Sequence, residues 1–213
     1  MKFSNNSLNI IYLCHAEKEA SGGAKIIYNH SELINKLHID NLTSEVLNIG
    51  KKKISKWNSS IKKIFRLSRD SFFGWKVEDV TVRNNFRSKW FKNNIILKEN
   101  FIFNKEEDFV IFPEIFAHFA KNLCVKKKVP YAIFVQNGYS LNSTGDLKAL
   151  NMAYKHAKFI LSYSKDISRC IVLAFKNCDK KILRTNISIN YKKYKLKDKK
   201  INMITYMPRK LPT

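Results

Sequence analysis

At 213 residues and 45% hydrophobic content, the chain is long enough for one well-cored domain with a small appendage. The net charge of +23 comes from 40 Lys and Arg against 17 Asp and Glu. Only seven of the basic residues are Arg, the better reader of phosphates and bases, so specific nucleic-acid binding is disfavoured. Abundant Lys, Asn and Ile read first as compositional bias, and weak attraction to an anionic membrane surface is the functional alternative. No run approaches the ~20 apolar residues of a membrane helix. The polar opening from Met1 to Ser7 leads into a strand-like run instead of a signal sequence, so a cytoplasmic protein is expected, peripheral at most at the inner face of a membrane. Cys14, Cys124, Cys170 and Cys178 form no C-x-x-C pair, which removes zinc spacing and leaves them as small buried hydrophobes.

Strand-like and helix-like segments alternate along the chain. Residues 8–13 read as a first strand. Residues 24–37 carry an apolar stripe of Ile26, Ile27, Leu33, Ile34 and Leu37 and read as a helix. Residues 44–49 read as a second strand, ended by Gly50. A βαβ opening of this kind implies parallel strands joined by a right-handed crossover. The middle of the chain is less regular: a helix is expected over 57–67 and short strands over 79–82 and 94–97. Regularity returns with a continuous apolar strand, Phe109 to Phe112, closed by Pro113. A helix over 115–125, a buried strand over 131–135, a helix over 146–156 capped by Asp146, and a strand over 159–162 follow. Ser164 then caps a helix over 165–174, and a strand over 182–185 comes last. Continuous apolar runs between helices mark strands buried on both faces. The expected fold is α/β: a doubly wound, mostly parallel Rossmann-like sheet with helices on both faces. This domain spans 1–190, residues 191–200 form a basic linker, and the apolar run at 201–207 reads as the opening strand of a further domain.

In such a sheet, ligands bind at the carboxyl ends of the strands. Ser21-Gly22-Gly23 opens the first helix, where glycines admit a close ligand and the helix terminus offers N–H donors; a plain tight turn reads equally well. Glu114 follows a strand directly and is either a ligand-facing carboxylate or a first-turn charge. Gln136 and Asn137, with Tyr139 beyond, place two carboxamides at a strand end, suited to sugar hydroxyls or to a turn built on Asn-Gly. Ser164 suits capping better than ligand contact. His30 and His38 are eight residues apart and form no metal pair. His118 lies one helical turn beyond Glu114, on a similar face, but no third ligand accompanies them. No catalytic triad, metal site or cofactor motif is assembled by spacing, and no catalytic residue is assigned.

In order and spacing these motifs resemble the N-terminal half of a GT-B glycosyltransferase of the family-four-like kind. The series runs from Ser21-Gly22-Gly23-Ala24-Lys25, through Val110 to Glu114, Ala132 to Tyr139 and Phe159 to Ser164, to Ile201 to Met207 with Pro208-Arg209-Lys210. The resemblance implies sugar transfer from a nucleotide-sugar donor to a glycan or lipid-linked acceptor, with this half binding the acceptor. It places Gly22, Gly23, Arg209 and Lys210 against the donor diphosphate. It places Glu114, Gln136, Asn137 and Tyr139 toward the acceptor or the transferred sugar. Relatives often carry a histidine near Gln136, and a carboxamide is no general base; transfer with retention, in which the donor phosphate takes the proton, tolerates that. The donor domain itself is expected from beyond this sequence, from the same chain or a second polypeptide, and the half alone should be inactive. The competing reading is a non-catalytic module of the same fold holding a glycan or an anionic surface. A nucleic-acid reading rests only on the mixed basic and aromatic segment from Phe86 to Lys92.

Overall fold

The computed structural model describes residues 7–16, 21–52, 75–84, 92–142 and 146–185. Those expected over 57–67, 86–91 and 191–213, including Arg209 and Lys210, lie outside them. The first unit is β1 (Leu8–His15), α1 (Gly22–Lys36) and β2 (Leu42–Lys51), followed by the short β3 (Val80–Val82) and β4 (Ile96–Leu97). Next come β5 (Asp108–Pro113), β6 (Tyr131–Val135), α2 (Leu147–His156), β7 (Phe159–Ser162), α3 (Lys165–Ala174) and β8 (Ile182–Arg184). The sheet runs β3-β2-β1-β5-β6-β7-β8, with β4 also pairing to β2. All pairings are parallel except β2 with β3. From β1 the chain moves one way to β2, then returns to place β5 on the other side. The expected doubly wound sheet is therefore present, and its switch point lies between β1 and β5.

Alternation along the strands sorts the core into two layers. Tyr12, Cys14, Val46, Ile111, Ala132 and Phe134 face α1, which buries Ile27 and Tyr28 against them. Ile11, Leu13, Leu47, Phe112 and Ile133 face the opposite layer, where Phe116, Leu150, Tyr154 and Ile171 pack. Each fully buried Leu, Ile or Phe contributes about 1.5–3 kcal/mol of transfer free energy. A polar seam fixes the seat of α1: the Tyr28 hydroxyl donates to Asn48 Oδ1 at 3.0 Å, and Ser44 Oγ donates to Ser31 Oγ at 3.0 Å. The expected helical stripe is thereby corrected. Leu33 and Leu37 are exposed, because the sheet-facing side is set by Ile27, Tyr28 and Ser31. His38 lies past the helix end, in left-handed backbone with φ 49°.

Two further expectations change. Gly50 does not end β2: the strand continues to Lys51 because β3 pairs antiparallel with Ile49 to Lys51. A Cβ at Gly50 would collide with the Arg83 side chain. The expected α-helix over 115–125 is instead a 3₁₀ turn at Glu114–Phe119 followed by a π turn at Lys121–Val125. Residues three apart eclipse in a 3₁₀ turn, and Phe116 and Phe119 stack accordingly, with ring centroids 5.3 Å apart and planes 9° apart. The wider turn returns the Lys126 N–H to the Lys121 carbonyl at 3.4 Å. Cys14, Cys124 and Cys178 are buried, as read from their scatter, while Cys170 is half-buried beside Gly138.

Candidate functional site

The carboxyl ends of β1, β5 and β6 converge at the switch point. α1 begins there, with Ser21 in extended backbone and its Oγ accepting the Ala24 N–H at 3.2 Å. That cap satisfies one of the orphan donors of the first turn and leaves the positive end of the helix dipole beside the sheet edge. Among the described residues a Cβ at Gly22 would meet nothing within 4 Å, so the backbone here is open to an approaching group. Gly23 is closed in by contrast. Gln136 Nε2 donates to the Gly23 carbonyl at 3.3 Å, and a Cβ on Gly23 would overlap Gln136 Oε1. Two loops more than 100 residues apart in sequence are thus joined at one point.

Glu114 supports that junction from beneath. It is only 5% exposed, and its two carboxylate oxygens accept the backbone N–H groups of Gln136 at 3.0 Å and Asn137 at 3.1 Å. Burial pushes its carboxyl above the ordinary value, against the pull of the two N–H donors. Beyond the two roles read for it, ligand-facing carboxylate or first-turn charge, Glu114 braces the Gln136 loop. Asn137 caps the next turn, its Oδ1 accepting the Tyr139 N–H at 3.0 Å. Tyr139 stands 83% exposed beyond it, so its ring is presented to solvent at the rim. Gly138 lies against α3, where a Cβ would come within 3.1 Å of Cys170.

The fourth loop is structural. Ser164 Oγ accepts the Ile167 N–H at 3.1 Å and caps α3, while Ser162 Oγ lies 2.8 Å from Ser168 Oγ. Asp146 caps α2 in the same way, its Oδ1 accepting the Ala149 N–H at 2.9 Å.

Near the switch point β1 runs two residues further than expected and delivers His15 to its end. The His15 ring lies 5.3 Å from that of Trp75 and 6.1 Å from that of Phe116. This aromatic wall escaped the sequence reading because Trp75 arrives from the irregular middle of the chain; the one signal was a histidine just past an apolar strand. His118 anchors the wall: its ring Nε2 lies 2.6 Å from the Trp75 carbonyl, and burial lowers its pKa. Glu114 and His118 therefore hold different segments, not a shared ligand. His30 is likewise a packed ring, stacked on Phe134 at 5.3 Å and lowered in pKa by burial. Among the described residues no group of three or more His, Cys, Asp or Glu is placed to hold a metal, and no helix is long and apolar enough to cross a membrane.

At the first turn of α1, Lys25 Nζ donates to Asn93 Oδ1 at 2.7 Å, and Asn93 Nδ2 donates in turn to Asn29 Oδ1 at 3.0 Å and to Glu32. This polar chain moors the segment after 92 alongside the helix. Of the residues singled out in the sequence, Gly22, Gly23, Glu114, Gln136 and Asn137 are brought to one locus, with Tyr139 at its rim. No family model, curated protein or solved structure matches the chain.

Proposed function

We propose that this chain is the acceptor-side half of a GT-B glycosyltransferase, moving a sugar from a nucleotide-sugar donor to a glycan or lipid-linked acceptor. The observation that carries the reading is the junction of the Gly22-Gly23 helix start with Gln136 at the switch point of a doubly wound sheet. The open backbone at Gly22, with the helix dipole behind it, suits the donor diphosphate. The Gln136 carboxamide, held by Glu114 through its own backbone N–H, suits a sugar hydroxyl, since it offers both donors and an acceptor. In retaining transfer the bond from the anomeric carbon to the donor phosphate breaks, and a bond to the acceptor oxygen forms. The acceptor proton leaves on the diphosphate, so neither Gln136 nor Asn137 has to act as a base. Arg209 and Lys210 would add positive charge to that leaving group.

The test is a titration of the isotope-labelled chain with a panel of UDP-, GDP- and ADP-sugars, followed at backbone amides. Even a millimolar complex should shift Gly22, Gly23, Lys25 and Gln136 together, and Gln136→Ala should weaken it. Shifts confined to other parts of the molecule, or none for any donor, would overturn the assignment.

A further inference from the structure

We infer a second ligand site at the opposite, amino-terminal end of the sheet: a basic groove that takes a phosphate group joined to a flat or apolar moiety. The groove encloses about 350 Å³ and lies where β6 begins and where α2 turns into β7. Three segments remote in sequence contribute basic residues to its lining: Lys105 from the turn before β5, Lys128 from the turn before β6, and His156 with Lys158 from the connection between α2 and β7. Among the described residues no Asp or Glu lines it. Lys105 pairs with Glu106 at 3.9 Å, an exposed pair of little strength, and Asp108 at the start of β5 lies close enough to act on Cys124 of the lining. Much of the lining is apolar. Val125, Val129, Pro130 and the Tyr131 ring contribute to it, and the Tyr131 hydroxyl donates to the Ala153 carbonyl at 2.6 Å.

Backbone hydrogen bonds hold the main chain that carries these residues. The Lys158 N–H donates to the Tyr131 carbonyl at 2.9 Å, and the Val129 N–H to the Cys124 carbonyl at 3.1 Å. Lys128 has φ 58°, a left-handed conformation that lysine adopts at a cost. The other non-glycine residues in that region are His38, Asn41 and Asn177, types that tolerate it better. The volume falls in the range of small-molecule sites, and lysines within a largely apolar lining match an anionic group carried on an apolar body.

The experiment uses the full chain and two probes in about 0.3 M salt, where exposed charges more than ~6 Å apart are screened. Pyrophosphate in solution is one probe, and phosphatidylcholine vesicles with and without phosphatidic acid are the other. Saturable amide shifts should appear across 124–131 and 156–158. Lys158→Glu and Lys128→Gly should each weaken the response about tenfold, as expected for loss of one charge-assisted contact. Lys128→Gly keeps the backbone conformation open and so guards against misfolding. Lys176→Glu and Lys180→Glu, exposed at the same end of the sheet but outside the groove, should leave it unchanged. Saturable binding of pyrophosphate supports a site for the phosphate of a soluble ligand, and no binding of either probe would overturn the site. Binding only to the phosphatidic acid vesicles, with the same variant pattern, identifies a lipid headgroup. Non-saturable shifts, or equal losses in all four variants, would overturn the site and leave only general attraction to a basic protein.

Discussion

Replacing Glu114 with Ala should loosen the Gln136 loop and destabilise the whole domain. The carboxylate is 5% exposed and satisfies two backbone N–H groups at 3.0 and 3.1 Å. Removing it leaves both donors without an acceptor, at about 1–3 kcal/mol each, partly offset because a buried charge is also removed. A net loss of about 2–4 kcal/mol follows, or roughly 4–16 °C in Tm for a domain of this size. Glu114→Gln keeps one acceptor oxygen and should lose about half as much. The measurement is thermal unfolding by calorimetry, paired with hydrogen exchange at the Gln136 and Asn137 amides, which should accelerate in the Ala variant. The pH dependence has a definite sign. The folded carboxyl is raised from 4.5, so the native state holds a proton that the unfolded chain releases. That contribution is fully present below pH 4.5 and is lost as pH rises through the folded value. The gap between wild type and Glu114→Ala should therefore narrow as pH increases from that point. An Ala variant within about 1 °C of wild type, with unchanged exchange at Asn137, would refute the bracing role.

The remaining predictions concern single contacts. Gly23→Ala should leave stability within about 1 kcal/mol, because helix propensity rises while only the flexible end of Gln136 must move. The Gln136 side-chain amide resonances should shift and nucleotide-sugar binding should fall; unchanged resonances would count against the junction. Gly138→Ala should cost about 1–3 kcal/mol by denaturant unfolding, since the new methyl meets Cys170 at 3.1 Å and the α3 backbone at Ile167 Cα at 3.5 Å. Ser164→Ala should cost about 1 kcal/mol through loss of the Ile167 N–H acceptor, and Ser164→Asp should recover most of it.

Much of this molecule was legible along the chain. Apolar strand runs such as Phe109 to Phe112 and Tyr131 to Val135, separated by capped helices, determined a doubly wound sheet, because strands buried on both faces carry no polar alternation. The caps Asp146 and Ser164 were equally readable, since a capping oxygen needs only a partner three residues ahead. Tertiary contacts decided the rest. The extension of β2 through Gly50 depends on β3, and the seat of α1 on a seam of Ser31, Ser44, Tyr28 and Asn48. At the candidate site the sequence named Gly22, Gly23, Glu114 and Gln136 because their residue types fall at strand and helix ends. It left Glu114 open between ligand contact and local charge. Only the folded chain made it a brace, since its acceptors meet donors 22 and 23 residues away, on a neighbouring strand's loop. Local pattern marks the helices, whose bonds close within a few residues, and the apolar runs of the strands; strand limits and the partners of a buried side chain are set by what the sheet brings beside them.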